Sequence, residues 1–380
     1  MALTKKAQLE LGFNWIYMLV AGGVILLFFV GIVVKEKSIA QENLGQDLVR
    51  TMESLFTGAQ VSEKTKNVID IGGLADFTLY FDCDSESLVT TYGLKETSAK
   101  AENIIDPIFS PNEIKATKMI AWSLPYNFPY KVADMLFITS SNTKYFLYNP
   151  TNNPFAKEFL KATGTEFNTK ELTTQQQYET LDPGNNFQIR IIDFSGQLIT
   201  QTKKNLPQPL QKFDNARVSA IVFTTPTTFH YYQKQGTTWS QKTITPQHII
   251  SLSHERDAAK YAAIFAQDKE TYRCSMKKAF QRMKHVTSIY QSKAQTIIDH
   301  YSQDKTKAEK FLTSTATGCL GYYTENEPNI QTSLNSLSNK ITGCIKDSSF
   351  MLCDGLIEAA INLQQANQAL SEHGDCIPLY

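Results

Sequence analysis

An N-terminal single transmembrane helix, a Rossmann-like mixed-sheet domain and a C-terminal helical bundle, α/β plus all-α, is the fold class this sequence predicts. Three observations carry it. Leu11 to Val34 is an apolar run without one formal charge, long enough at helical rise to cross a hydrocarbon core of about 30 Å. Between Tyr145 and Phe223, β-branched and aromatic runs alternate with helical ones, the order from which parallel sheets are built. Beyond Ser253, apolar residues recur at helical spacing to the end of the chain. The expected boundaries are a cytoplasmic tail over 1–10, the membrane helix over 11–34, an amphipathic stalk over 35–58, the α/β domain over 59–250 and the bundle over 251–380.

For the first element, Lys5 and Lys6 precede the apolar run and Lys35 and Lys37 follow it, so basic residues do not orient it. The cysteines do. Cys83, Cys274, Cys319, Cys344, Cys353 and Cys376 all lie beyond the run, an even set that suits disulfides in an oxidising compartment. The expected location is the cell membrane, single-pass, with the body outside the cytoplasm; reduced structural thiols are the alternative. A removable secretory signal is the rival for the run itself, whose length and lack of a clear A-x-A site favour retention. Cys344 and Cys353 flank a short connection between predicted helices and are expected to pair, with the other pairings open. No CxxC occurs, so no metal is expected.

The segment Lys5-Lys6-Ala7-Gln8-Leu9-Glu10, followed directly by the apolar run, resembles the N-terminus of archaeal type IV pilin-like proteins with a class III signal peptide. The resemblance implies cleavage by a prepilin peptidase between Ala7 and Gln8 and a part for Glu10 in assembly. Glu10 comes earlier than the usual fifth position of the mature chain, and Asn14 interrupts the apolar run. The remainder, including 109–122, FSPNEIKATKMIAW, is similar to uncharacterised membrane-anchored archaeal proteins.

Along the stalk, Leu44, Leu48, Met52 and Leu55 recur at helical steps up to Gly58; this stripe either meets a partner or folds back on its own domain. Val68 to Ile71 and Phe77 to Phe81 flank Gly72-Gly73 as an expected hairpin, and strands follow at Met119 to Trp122, Met135 to Thr139 and Lys144 to Tyr148. Helices are expected near Pro154 to Ala162 and Pro207 to Phe213, and central strands at Phe187 to Phe194 and Val218 to Phe223. Phe229 to Gln233 and Thr238 to Thr243, joined through Gln235-Gly236, predict a closing hairpin. Met276 to Tyr301, Ile330 to Ile341 and Leu352 to Leu370 predict three long helices, with a shorter piece at Ala308 to Leu312.

The chemistry is meagre. Lys+Arg and Asp+Glu are 37 each, and no basic stripe with interleaved aromatics occurs, which excludes nucleic acid as an expected partner. GxGxxG, GxxxxGK[ST] and GxSxG are absent, so no cofactor is expected. His254-Glu255-Arg256-Asp257-Ala258 starts like HExxH but lacks the second histidine. Asp193-Phe194-Ser195-Gly196-Gln197 is similar to the metal-binding DxSxS of von Willebrand A-like domains, but Gln197 replaces the second serine and a polar turn explains the fragment. Asp193 and Ser195 stand as the acidic-turn candidate. Asp82 and Asp84 around Cys83 fit a strand-end turn, and His285 and His300 a solvated helix face. With no catalytic set, the expected function is a membrane-anchored extracytoplasmic binding or assembly protein of the envelope, pilus-like, associating with a protein partner or itself through the stalk. A tethered hydrolase or transferase working at the carboxyl ends of the parallel strands is the alternative.

Overall fold

The computed structural model describes residues 5–61, 66–199, 205–243, 245–252, 257–307, 310–326, 328–346, 353 and 355–380; the side chains of 5–18, 33–34, 37–38, 59–61, 303–307, 310–316 and some single positions are not among those described. The first element is one helix, α1 (Lys5–Val61), so the apolar run and the stalk are continuous. The single transmembrane helix is a correction. Among the described residues no helix is long and apolar enough to cross a membrane. The expected single-pass location falls with it. The processing position at Ala7 and Gln8 lies where side chains are outside the described residues.

The far half of α1 is docked. Val49, Met52 and Phe56 are buried, and Phe56 meets the Tyr92 ring edge-on at 5.2 Å. Gly45 permits the approach, because a Cβ there would meet Thr97 Oγ1 at 2.7 Å. Glu42 accepts from the Ser98 backbone N–H at 3.2 Å and also from its hydroxyl. Of the stripe Leu44, Leu48, Met52 and Leu55, the described member therefore folds back on its own domain. Apolar burial settles this, since fully covering a side chain such as Met52 is worth about 1.5–3 kcal/mol.

Residues 66–250 form three sheets rather than one Rossmann-like sheet, a second correction to the fold class. Strands β1 (Lys66–Asp70), β5 (Ile108–Phe109), β7 (Lys118–Asn127) and β8 (Lys131–Ser140) make the first, in the order β1-β7-β8-β5. Strands β2 (Leu79–Asp84), β3 (Val89–Leu94), β4 (Lys100–Asn103) and β6 (Glu113–Ile114) make the second, ordered β4-β3-β2-β6. The hairpin expected across Gly72-Gly73 does not form, because β1 pairs with β7 and β2 with β3 in different sheets. The first sheet is apolar on both faces. Along β7, Met119 and Ala121 face α1 and the second sheet, while Ile120, Trp122 and Leu124 face the other way, into the largest core, as the two-residue period of a strand requires.

The third sheet has seven strands. It uses β9 (Thr143–Tyr148), β10 (Asn168–Leu172), β11 (Gln188–Asp193), β12 (Val218–Thr225), β13 (Thr228–Gln235), β14 (Thr238–Gln241) and β15 (Gln247–His248), on a path β10-β9-β11-β12-β13-β14 with β15 against β13. The first four strands on this path are parallel, and the hairpin through β13 and β14 closes it antiparallel. Helices α2 (Pro154–Thr163), α3 (Gln175–Glu179) and α4 (Gln208–Gln211) make the crossovers. Asn153 caps α2 by accepting from Ala156 N, with Pro154 in the first turn where a missing N–H costs nothing.

The rest is helical: α5 (Ala258–Phe265), α6 (Lys269–Lys307), α7 (Lys310–Thr324), α8 (Ile330–Lys346) and α9 (Leu356–Glu372). All six cysteines pair. Cys344, in the last turn of α8, pairs with Cys353, Cys319–Cys376 ties α7 to the C-terminal tail, and Cys83–Cys274 joins β2 to α6 across 191 residues of sequence. The last bridge makes sheet region and bundle one covalent unit.

Candidate functional site

Open parallel sheets place ligands where the strand order reverses, at the carboxyl ends. Here β9 leads through α2 to β10 on one side, and β10 leads through α3 to β11 on the other side of β9, so the reversal lies between β9 and β11. Asp193 ends β11 at that point, fully buried. Its carboxylate is consumed by its own turn: Ser195 N donates to it at 2.8 Å, Ser195 Oγ at 2.6 Å and Leu198 N at 2.8 Å. Burial pushes its pKa up while these hydrogen bonds oppose the shift. Gly196 adopts φ +69°, and a Cβ there would meet Phe223 O at 2.9 Å, so the turn needs a glycine. Among the described residues no group of three or more His, Cys, Asp or Glu is arranged to hold a metal. Above the turn Phe194 lies parallel to Phe223 at 5.6 Å, and Phe155 stands edge-on to both. The three rings pack together at the carboxyl ends of β11 and β12.

The other candidates also resolve into structure. Asp84 accepts from Glu86 N and Ser87 Oγ, the strand-end turn expected of it. Those bonds hold its carboxyl below the usual range. His285 and His300 are exposed on α6. His254, Glu255 and Arg256 lie outside the described residues, while Asp257 caps α5 by accepting from Ala259 N. His230 is tied to Thr243 within its hairpin.

Three cations that the sequence reading did not single out are buried among the described residues, Arg190, Lys234 and Lys278, and two of them tie helices to the sheets. Arg190, in β11 and 5% exposed, donates to the carbonyls of Ala263, Ile264, Ala266 and Gln267 and to Ser219 Oγ at 2.6–3.3 Å. It thereby closes the C-terminus of α5, where orphan carbonyls and the negative end of the helix dipole favour a cation. Lys278 of α6, 1% exposed, donates to Thr90 Oγ1 at 2.6 Å and to the carbonyls of Asn103 at 2.7 Å and Asp106 at 3.4 Å. Burial pulls its pKa down to about 8, against the opposing charge of Asp106. Neither Arg190 nor Lys278 is accessible to a ligand.

The open cleft lies at the opposite end of the sheet. About 470 Å³ in volume, it is lined by Lys115, Ala116 and Thr117 just before β7, by Ser141 and Asn142 before β9, by Asn185 to Phe187 before β11, by Arg217 before β12, and by Ala75. Its floor is sewn by Asn142, whose amide donates to Lys115 O at 3.0 Å and whose carbonyl accepts from Phe187 N at 2.9 Å. Arg217 lies over the Phe187 ring at 4.3 Å and engages Asp214 Oδ2 through Nε at 3.2 Å. A smaller groove of about 150 Å³ runs between α6 and α8 beside Gln291, Gln295 and Asn335. No family model, no curated protein and no solved structure matches this chain.

Proposed function

We propose that this chain is an extracytoplasmic assembly protein whose copies join through the uncovered half of α1, in the manner of a pilus-like subunit. The observation that carries this reading is the division of one helix into two unlike halves. From Gly45 to Phe56 it is fastened to the body, whereas from Leu19 to Ile32 large apolar side chains stand in the open, among them Leu26, Leu27 and Phe28 at 63–70% exposure. Contiguous apolar surface of this kind is costly in water and marks an interaction site. Gly22, Gly23 and Gly31 have no neighbour within 4 Å of an added Cβ, which leaves room for a second helix to come close. The resemblance of the first ten residues to pilin-like proteins supports the same reading, as do three disulfides, which suit an oxidising compartment.

The test is site-directed photo-crosslinking of the full chain. A photoreactive residue at Leu27 is expected to give a ladder of multiples of the chain mass, and one at Thr51, on the docked half, to give far less. Only monomer from position 27 would reject self-association. Leu27→Ser with Phe28→Ser should abolish the ladder while leaving the melting transition of the body in place.

A further inference from the structure

The geometry points to the cleft at the amino ends of β9, β11 and β12 as a binding site for a carboxylate-bearing sugar, a short acidic oligosaccharide. The site is separate from the uncovered half of α1 and does not depend on assembly. Its cations set the charge. Lys115 and Arg217 both line the cleft, and no carboxylate is among the described residues that do. Arg217 is pre-organised: with its Cζ 4.3 Å from the centre of the Phe187 ring and Nε engaged by Asp214, its two Nη groups remain as a fork that matches a carboxylate.

The neutral groups set the rest of the chemistry. Asn185 and Thr117 are both exposed residues of the lining. These are partners for hydroxyls. Asn186, by contrast, is spent, donating to Pro183 O at 2.7 Å and accepting from Asn168 at 3.0 Å, and so holds the loop in shape. The volume falls within the roughly 300–1,000 Å³ of small-ligand clefts. A peptide would ask for a free strand edge or an apolar side-chain pocket. This cleft lies at the starts of β7, β9, β11 and β12, and amides, hydroxyls and two cations line it together with Ala75, Ala116 and Phe187.

The experiment is isothermal titration of the full chain at low salt with digalacturonate, with neutral digalactose, with inorganic phosphate and with a hexaglutamate peptide. Digalacturonate is expected to bind, and digalactose to bind at least tenfold more weakly. Lys115→Gln and Arg217→Gln should each weaken digalacturonate about tenfold with melting transitions unchanged, and Asn185→Ala should weaken it without altering phosphate binding. The proposal is overturned if wild type does not bind digalacturonate, if digalactose or phosphate binds as tightly, or if the variants bind like wild type. Tighter binding of hexaglutamate would assign the cleft to an acidic protein segment instead.

Discussion

The protein keeps cations in two kinds of place. In the seam where α5 and α6 meet the sheets, Arg190 and Lys278 are buried, and nearly all their partners are neutral oxygens of the chain itself. At the amino-end cleft, Lys115 and Arg217 are half-buried on a polar surface, with donors left over. The contrast separates a cation that holds a fold together from one that can hold something else. A buried charge persists only when every donor is matched, and matching leaves nothing for a ligand. A rim charge costs little to leave partly unmatched, because water serves it until a ligand arrives.

The comparison breaks most visibly at Arg190. Arg190→Met keeps the volume and removes donors to four carbonyls and a hydroxyl, so unfolding in urea should show a loss of at least about 3 kcal/mol, as expected when several buried acceptors lose their partners. A loss below about 1 kcal/mol would show that water replaces the guanidinium and that the seam is not sealed.

Lys278 gives a smaller, pH-dependent effect. Its folded pKa of about 8 lies below the ordinary lysine value of 10.5, so between those limits the unfolded chain holds more protons than the folded one. Stability therefore rises with pH through that window, by roughly 3 kcal/mol when complete. Tyrosines held protonated by burial act in the opposite direction above about pH 10. The measurement is accordingly the stability of wild type minus that of Lys278→Met from pH 7.5 to 9.5, which should increase as pH rises; a constant difference would place the lysine in contact with water.

The smallest effect sharpens the contrast. Lys115→Gln and Arg217→Gln should change stability by no more than about 0.5 kcal/mol, as surface substitutions do. A loss comparable to that of Arg190→Met would make the cleft pair structural, whatever it binds.

Much of the secondary structure was legible because strands and helices that bury a face must carry the matching apolar period. Ile189-Arg190-Ile191-Ile192, Val218 to Phe223 and the α6 series from Met276 to Tyr301 are of this kind. The edge strand β10, Asn168 to Leu172, was not legible: it is polar along most of its length and is a strand only because it pairs with β9. Gly72-Gly73 misled for a related reason. The glycines mark a real bend, but whether flanking strands join one sheet or two is decided by their partners.

At the level of the site, the turn at Asp193 to Ser195 could be read locally, since its hydrogen bonds run between neighbours in sequence. The cleft could not. Its lining comes from positions 75, 115–117, 141–142, 185–187 and 217, which no spacing rule connects. By itself the sequence determined which residues are apolar together, where the chain turns, and that six cysteines were available to pair. Only the tertiary structure decided which half of α1 is covered, that Arg190 closes a helix, and that five separate segments converge at the amino ends of the parallel strands. The reason is physical: local patterns reflect the period of a backbone against one apolar face, whereas strand order and docking depend on contacts between segments far apart in the chain, whose energies no single window of sequence contains.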